Sequence, residues 1–273
     1  MRAHTVIGGD GLELHVEETG NPAGKPILFI HGLSGSGLVW KRQLDSELAT
    51  DFRLVAMDIR GHGMSAKPRD VYGEPRLWAE DVRAVIETLE LDAPVLSGWS
   101  YGGIIISDYV GCYGEDAIAG TNWVSAISRL GEPLVAPGFL HDAFLALVPG
   151  FFSENVAEST AALQELIRLC AHQELSPDEW FLFVGVTHSV PPYVREALLS
   201  RNVDNDAVIA RMRTPMLISC GEEDGIVKPA MRDRLMELRP DARLSLYPGV
   251  GHAPFWESPE RFNRELMEFR QSV

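Results

Sequence analysis

Near the start of the chain, Leu12, Leu14 and Val16 alternate with Glu13, His15 and Glu17. That period of two predicts a strand with one wet face, lying at an exposed antiparallel edge. Short runs without polar alternation follow at Ile27–Ile30, Leu54–Met57, Pro94–Leu96 and Met216–Ile218. Such runs suit strands buried on both faces, and so a central parallel sheet. Between them the period lengthens. Trp78, Val82, Val85, Ile86 and Leu89 lie at helical spacing on one apolar face, and Phe262, Leu266 and Phe269 repeat the pattern behind Ser258 and Pro259, which predict an N-cap and a first-turn proline.

Strand and helix alternate as in a doubly wound α/β sheet with right-handed crossovers, except between about Ser128 and Met212. There the strand signal disappears and helical segments take over. One is opened by Ser176-Pro177-Asp178-Glu179, which has capping-box spacing, and another begins near Pro191-Pro192. The predicted organisation is an α/β core of residues 1–127 and 213–273 with a mostly helical cap, 128–212, inserted into it. The cap carries Phe139, Phe144, Phe151, Phe152, Trp180, Phe181 and Phe183, which are expected as a set to line an apolar pocket over the site.

At 273 residues, 45% of them hydrophobic, the chain can bury one sizeable core. Its 39 acidic residues against 24 basic ones give a formal net charge of −15, which repels nucleic-acid backbones and anionic membrane surfaces. Three cysteines, Cys112, Cys170 and Cys220, are not paired at metal or redox spacing and read as buried free thiols. The N-terminus MRAHTVIGGDGLELHVEE has no basic-then-apolar leader, and no span approaches about 20 apolar residues. A soluble, cytoplasmic protein is expected.

The strongest chemical signal is Gly98-Trp99-Ser100-Tyr101-Gly102, placed after the buried run Pro94–Leu96 and before the apolar stretch Ile104–Tyr113. A G-x-S-x-G match is common by chance, but the strand-turn-helix context is what its chemistry requires: a sharp turn that projects the serine at a helix N-terminus. A serine hydroxyl needs a base, and the base an orienting carboxylate. Asp224, after the strand Met216–Cys220, and His252, after the strand Arg243–Tyr247, supply them in the order Ser, Asp, His. Glu222 and Glu223 are the rival acids. His31 and His62 read as loop-fixing histidines, while His141, His172 and His188 fall in the cap. No HExxH and no phosphate-binding glycine loop accompanies these residues, so neither metal nor cofactor is expected.

The stretches HGLSGSG (His31–Gly37), DIRGHGMS (Asp58–Ser65), GWSYGG (Gly98–Gly103), GEEDGIV (Gly221–Val227) and GHAPFWESP (Gly251–Pro259) together resemble the α/β-hydrolase fold superfamily, in its serine-nucleophile, capped, esterase-like branch. The resemblance covers nearly the whole chain. It implies a mostly parallel eight-stranded sheet and a Ser100–His252–Asp224 triad. It also implies an oxyanion hole made by the amides of Leu33 and Tyr101, and a small carboxylic ester as substrate. The same triad serves C–C bond hydrolases, lactonases and perhydrolases. Trp99 and Ala253 depart from the asparagine and tryptophan typical of the C–C hydrolases at those places. Some relatives keep the fold as ligand-binding modules without catalysis.

Overall fold

In the computed structural model, which describes residues 1–131 and 138–273, eight strands form one sheet in the order β1-β2-β4-β3-β5-β6-β9-β10. They are β1 Arg2–Ile7, β2 Glu13–Gly20, β3 Pro26–Ile30, β4 Arg53–Met57, β5 Val95–Trp99, β6 Gly120–Val124, β9 Met216–Gly221 and β10 Arg243–Tyr247. β1 pairs antiparallel with β2, and β2 antiparallel with β4; every pairing from β4 onward is parallel. β3, β5 and β9 are buried along their whole length, as their apolar runs require, and so is β6 although Thr121 and Asn122 interrupt its apolar residues. The alternating segment at Leu12–Val16 is not the edge. β1 covers it, and β1 reads poorly in sequence because Arg2, His4 and Thr5 break its apolar pattern.

The longer helices are α1 Pro75–Thr88, α2 Gly102–Tyr113, α3 Val156–Cys170, α4 Pro177–His188, α5 Pro192–Leu199, α6 Pro229–Leu238 and α7 Pro259–Ser272. α1 packs on α2 against one face of the sheet, burying Trp78, Val82 and Val85 with Ile104, Ile105 and Tyr109. α7 covers the opposite face, where Phe262, Leu266 and Phe269 meet Phe29, Trp40 and Leu217. Removing such side chains from water stabilises the fold by about 1.5–3 kcal/mol each. Pro259 occupies the first turn of α7, but the Ser258 side chain makes no capping bond. Ser176 does form the full reciprocal capping box with Glu179 at the start of α4.

Between β6 and β9 the described residues are largely helical, in α3, α4, α5 and shorter turns. Two strands the sequence did not announce, β7 Arg129–Leu130 and β8 Val203–Asp204, pair antiparallel at the base of this segment. At two residues each they are too short to show a period. Residues 132–137, within the predicted cap, lie outside the described residues.

Candidate active site

Ser100 stands between β5 and α2 with φ of +53°, a backbone state that costs an L-residue roughly 1–3 kcal/mol. The surroundings hold it there. Its N–H donates to Val124 O at 2.9 Å, and its carbonyl accepts from Gly103 N at 3.0 Å and Ile127 N at 3.1 Å. The turn tolerates no Cβ at its flanks: one on Gly98 would lie 2.8 Å from the Gly102 carbonyl, and one on Gly102 would lie 2.7 Å from Ile30 O. These contacts are why glycine brackets the serine.

His252 Nδ1 donates to Asp224 Oδ2 at 2.8 Å, with both side chains almost fully buried. The other Asp224 oxygen accepts the amides of Ile226 and Val227, each at 2.9 Å, which fixes the carboxylate in direction. Glu222 and Glu223 are exposed. The histidine is also pinned through its backbone, since its N–H donates to Cys170 O at 2.9 Å and its carbonyl accepts the Trp99 indole N–H at 2.9 Å. Among the described residues, His252 Nε2 has no hydrogen-bond partner. Ser100 and His252 line one cavity of about 70 Å3 but make no hydrogen bond with each other.

Leu33 and Tyr101 line the same cavity, and among the described residues neither amide meets an acceptor in the chain. Two buried histidines fix the loop that carries Leu33. His31 Nε2 accepts from Ile59 N at 3.1 Å while its Nδ1 side contacts Gly32 O at 2.8 Å, and His62 accepts from Ser34 N at 3.2 Å and contacts Arg60 O at 3.0 Å. Those partners put the proton on Nδ1 in each ring. Burial pushes both imidazoles down from their ordinary range, so they serve the loop as neutral rings. Of the other histidines, His141, His172 and His188 all lie outside the cavity wall.

Four residues at the site were not singled out by the sequence reading. Arg201, just beyond α5, donates from Nη1 to the Tyr101 hydroxyl at 3.0 Å and from Nη2 to Asp108 Oδ2 at 2.8 Å. All three side chains are buried, and burial raises Asp108 to about 6 and Tyr101 to about 12 against the opposing pull of the guanidinium. Glu257 accepts the amides of His172 and Gln173 at 2.8 and 2.9 Å and that of Gly251 at 2.9 Å, fastening the segment after α3 to the loop of His252. Trp256 forms part of the cavity wall. Of the seven aromatics expected to line the pocket, only Phe144 and Phe183 do so. Phe139 and Phe151 are packed into the core, and Phe181 is 71% exposed. Cys112 is likewise exposed rather than buried; Cys220 is buried, Cys170 partly so, and all three are free.

Among the described residues, no group of three His, Cys, Asp or Glu side chains is placed to hold a metal ion, and no helix is long and apolar enough to cross a membrane.

A strained serine at a strand-to-helix turn and a histidine bonded to a carboxylate thus line one cavity beside a mostly parallel sheet. The family model for the alpha/beta hydrolase family matches residues 27–265, and the chain belongs to that family. Its fold superposes with a TM-score of 0.93 on a Burkholderia cenocepacia protein assigned as an aryl esterase, which is 35% identical with 99% of this chain and 98% of that one covered. The esterase RhEst1 from Rhodococcus sp. ECU1013 matches with the same TM-score of 0.93 at 33% identity, over the full length of both chains. The bifunctional esterase/perhydrolase DCH of Acinetobacter calcoaceticus is 27% identical, covering 98% of this chain and 99% of its own.

Proposed function

We propose that the protein hydrolyses small carboxylic esters through an acyl-enzyme on Ser100. The observation that carries this reading is the 2.8 Å bond from His252 Nδ1 to Asp224, which leaves Nε2 unpartnered on the cavity that Ser100 also lines. The resemblance to two esterases above 30% identity supports the choice of ester. Ser100 Oγ attacks the carbonyl as His252 Nε2 takes its proton. The tetrahedral oxyanion then accepts from the amides of Leu33 and Tyr101, each such donor contributing about 3 kcal/mol to the transition state. Collapse breaks the bond to the alcohol oxygen, which leaves with the proton from His252. Water, deprotonated by His252, attacks the acyl carbon and releases the acid with Ser100 restored. Asp224 holds the imidazole tautomer throughout.

Residues 128–212 act in this reading as the cap that shields the site from bulk water. The same acyl-enzyme is open to attack by hydrogen peroxide in place of water, which would make a peracid, as the name of the Acinetobacter relative indicates for that protein. The test is hydrolysis of p-nitrophenyl acetate by the purified protein and by Ser100→Ala, alongside labelling with a fluorophosphonate. Turnover and labelling both vanish in the variant if the reading is right. A Ser100→Ala protein with the parent rate overturns it.

A further inference from the structure

Two cavities meet at one side chain. The inner one, at Ser100 and His252, is about 70 Å3, while a surface groove of about 1190 Å3 runs alongside it between α4 and α7, past Asp45, Leu182, Asn263 and Met267. Among the described residues, Trp256 is the only residue that lines both. It follows His252 by four positions on the one-turn helix Pro254–Glu257, so the wall and the base share a short rigid piece of backbone.

The indole is held by three neighbours. Phe183, itself on the inner cavity wall, meets it edge-on at 4.8 Å between centroids. The Arg42 guanidinium lies 4.7 Å from its ring centre, and Arg42 also bonds the Trp256 carbonyl and the Glu179 carboxylate. The indole N–H donates to Glu179 Oε1 at 3.1 Å, and the other oxygen of Glu179 accepts Ser176 N at 2.7 Å in the capping box of α4. An aromatic plate clamped by a cation, a carboxylate and a second ring resists being pushed aside by a ligand.

We propose that Trp256 is the specificity-determining wall of the site: it limits the length of the apolar chain an ester can carry, and its removal joins the inner cavity to the groove. This inference rests on the esterase reading for its natural ligand. At about 70 Å3, the inner cavity by itself leaves little room for a long chain. The groove, more than ten times larger and floored in part by Leu182 and Met267, provides the room that the wall withholds.

The experiment compares wild type with Trp256→Ala, Trp256→Leu and Trp256→Phe on two series: p-nitrophenyl esters from acetate to decanoate, and acetates of alcohols from ethanol to decanol. The first series reads a chain on the acyl side and the second a chain on the alcohol side. In one of them, kcat/KM for the ten-carbon chain relative to the shortest is expected to rise at least tenfold in Trp256→Ala, with Leu and Phe intermediate in order of side-chain size. Should Trp256→Ala fail to fold by circular dichroism, the Leu and Phe variants carry the comparison. A length profile unchanged in both series in every folded variant overturns the proposal. If no protein hydrolyses any ester, the esterase reading fails instead. The wall is then read without turnover, by calorimetric titration with 1-butanol and 1-decanol. Tighter decanol binding by at least tenfold in the variant supports it, and no gain overturns it.

Discussion

Arg201→Met removes a guanidinium from a fully enclosed site and leaves the Asp108 carboxylate, 4% exposed, with no cation in contact. Breaking a buried pair from one side costs about 3–5 kcal/mol. Unfolding entropy runs at about 2.1 cal/mol/K per residue, or about 0.6 kcal/mol/K for 273 residues, so the Tm should drop by about 5–9 °C at pH 8. The deficit should then depend on pH in a defined direction. In the parent, Asp108 loses its proton at about 6; without Arg201 its folded value moves higher still, because burial now acts unopposed. Above about pH 6, and up to its own raised value, the native variant therefore holds a proton that both its unfolded state and the native parent lack. Its stability relative to the parent falls as pH rises, by up to about 1.4 kcal/mol per pH unit, and recovers on acidification until the curves run parallel below about pH 6. Scanning calorimetry of both proteins across pH 5–8 measures this. Adding Asp108→Asn to Arg201→Met should flatten the pH dependence. A deficit that is the same at every pH, or one that grows on acidification, would refute the assignment of Asp108 as the uncompensated charge.

Two further outcomes follow from the site. Asp224→Asn keeps the shape of the carboxyl but presents the wrong partner to His252 Nδ1, so kcat for an activated ester should fall by about 10⁴ with a small change in KM; a loss under tenfold would show that the imidazole is oriented without it. Ser100→Gly relieves a side chain held at φ of +53° and should raise stability by about 1 kcal/mol, roughly 2 °C in Tm, while abolishing turnover. A Tm equal to or below the parent's would mean that the turn stores no strain.

Much of the molecule is written in local pattern. The continuous apolar runs of β3, β5 and β9 and the helical stripe of α1 exist because each element buries a face, and burial leaves a period in sequence. Ser100, Asp224 and His252 stand at strand ends flanked by glycine, so their positions could be read from the turn chemistry around them. Arg201 and Asp108 could not. Each is a single charged residue with no repeat, and they meet only because the segment after α5 returns against the helix that starts at the nucleophile. Trp256 and Glu257 fall inside a recognisable motif, yet nothing local separates a wall or a fastening from core. β1 was hidden for a different reason, since a strand with one wet edge tolerates polar residues that erase its alternation.

The sheet order sets the sequence in which the site can come into being. β5 and β6 bring Ser100 to its turn, but Asp224 and His252 follow β9, which docks onto β6, and β10, which docks onto β9 at the far end of the sheet. A ribosome-bound chain that has emerged only as far as Met212 carries the elbow with neither base nor acid, and it exposes a bare edge of β6, a strand that is fully buried in the finished sheet. Until the last segment is released, such a chain is open to wrong pairing with other chains. Onset of esterase activity would thus time the completion of folding, and C-terminal truncations past β9 should be both silent and insoluble.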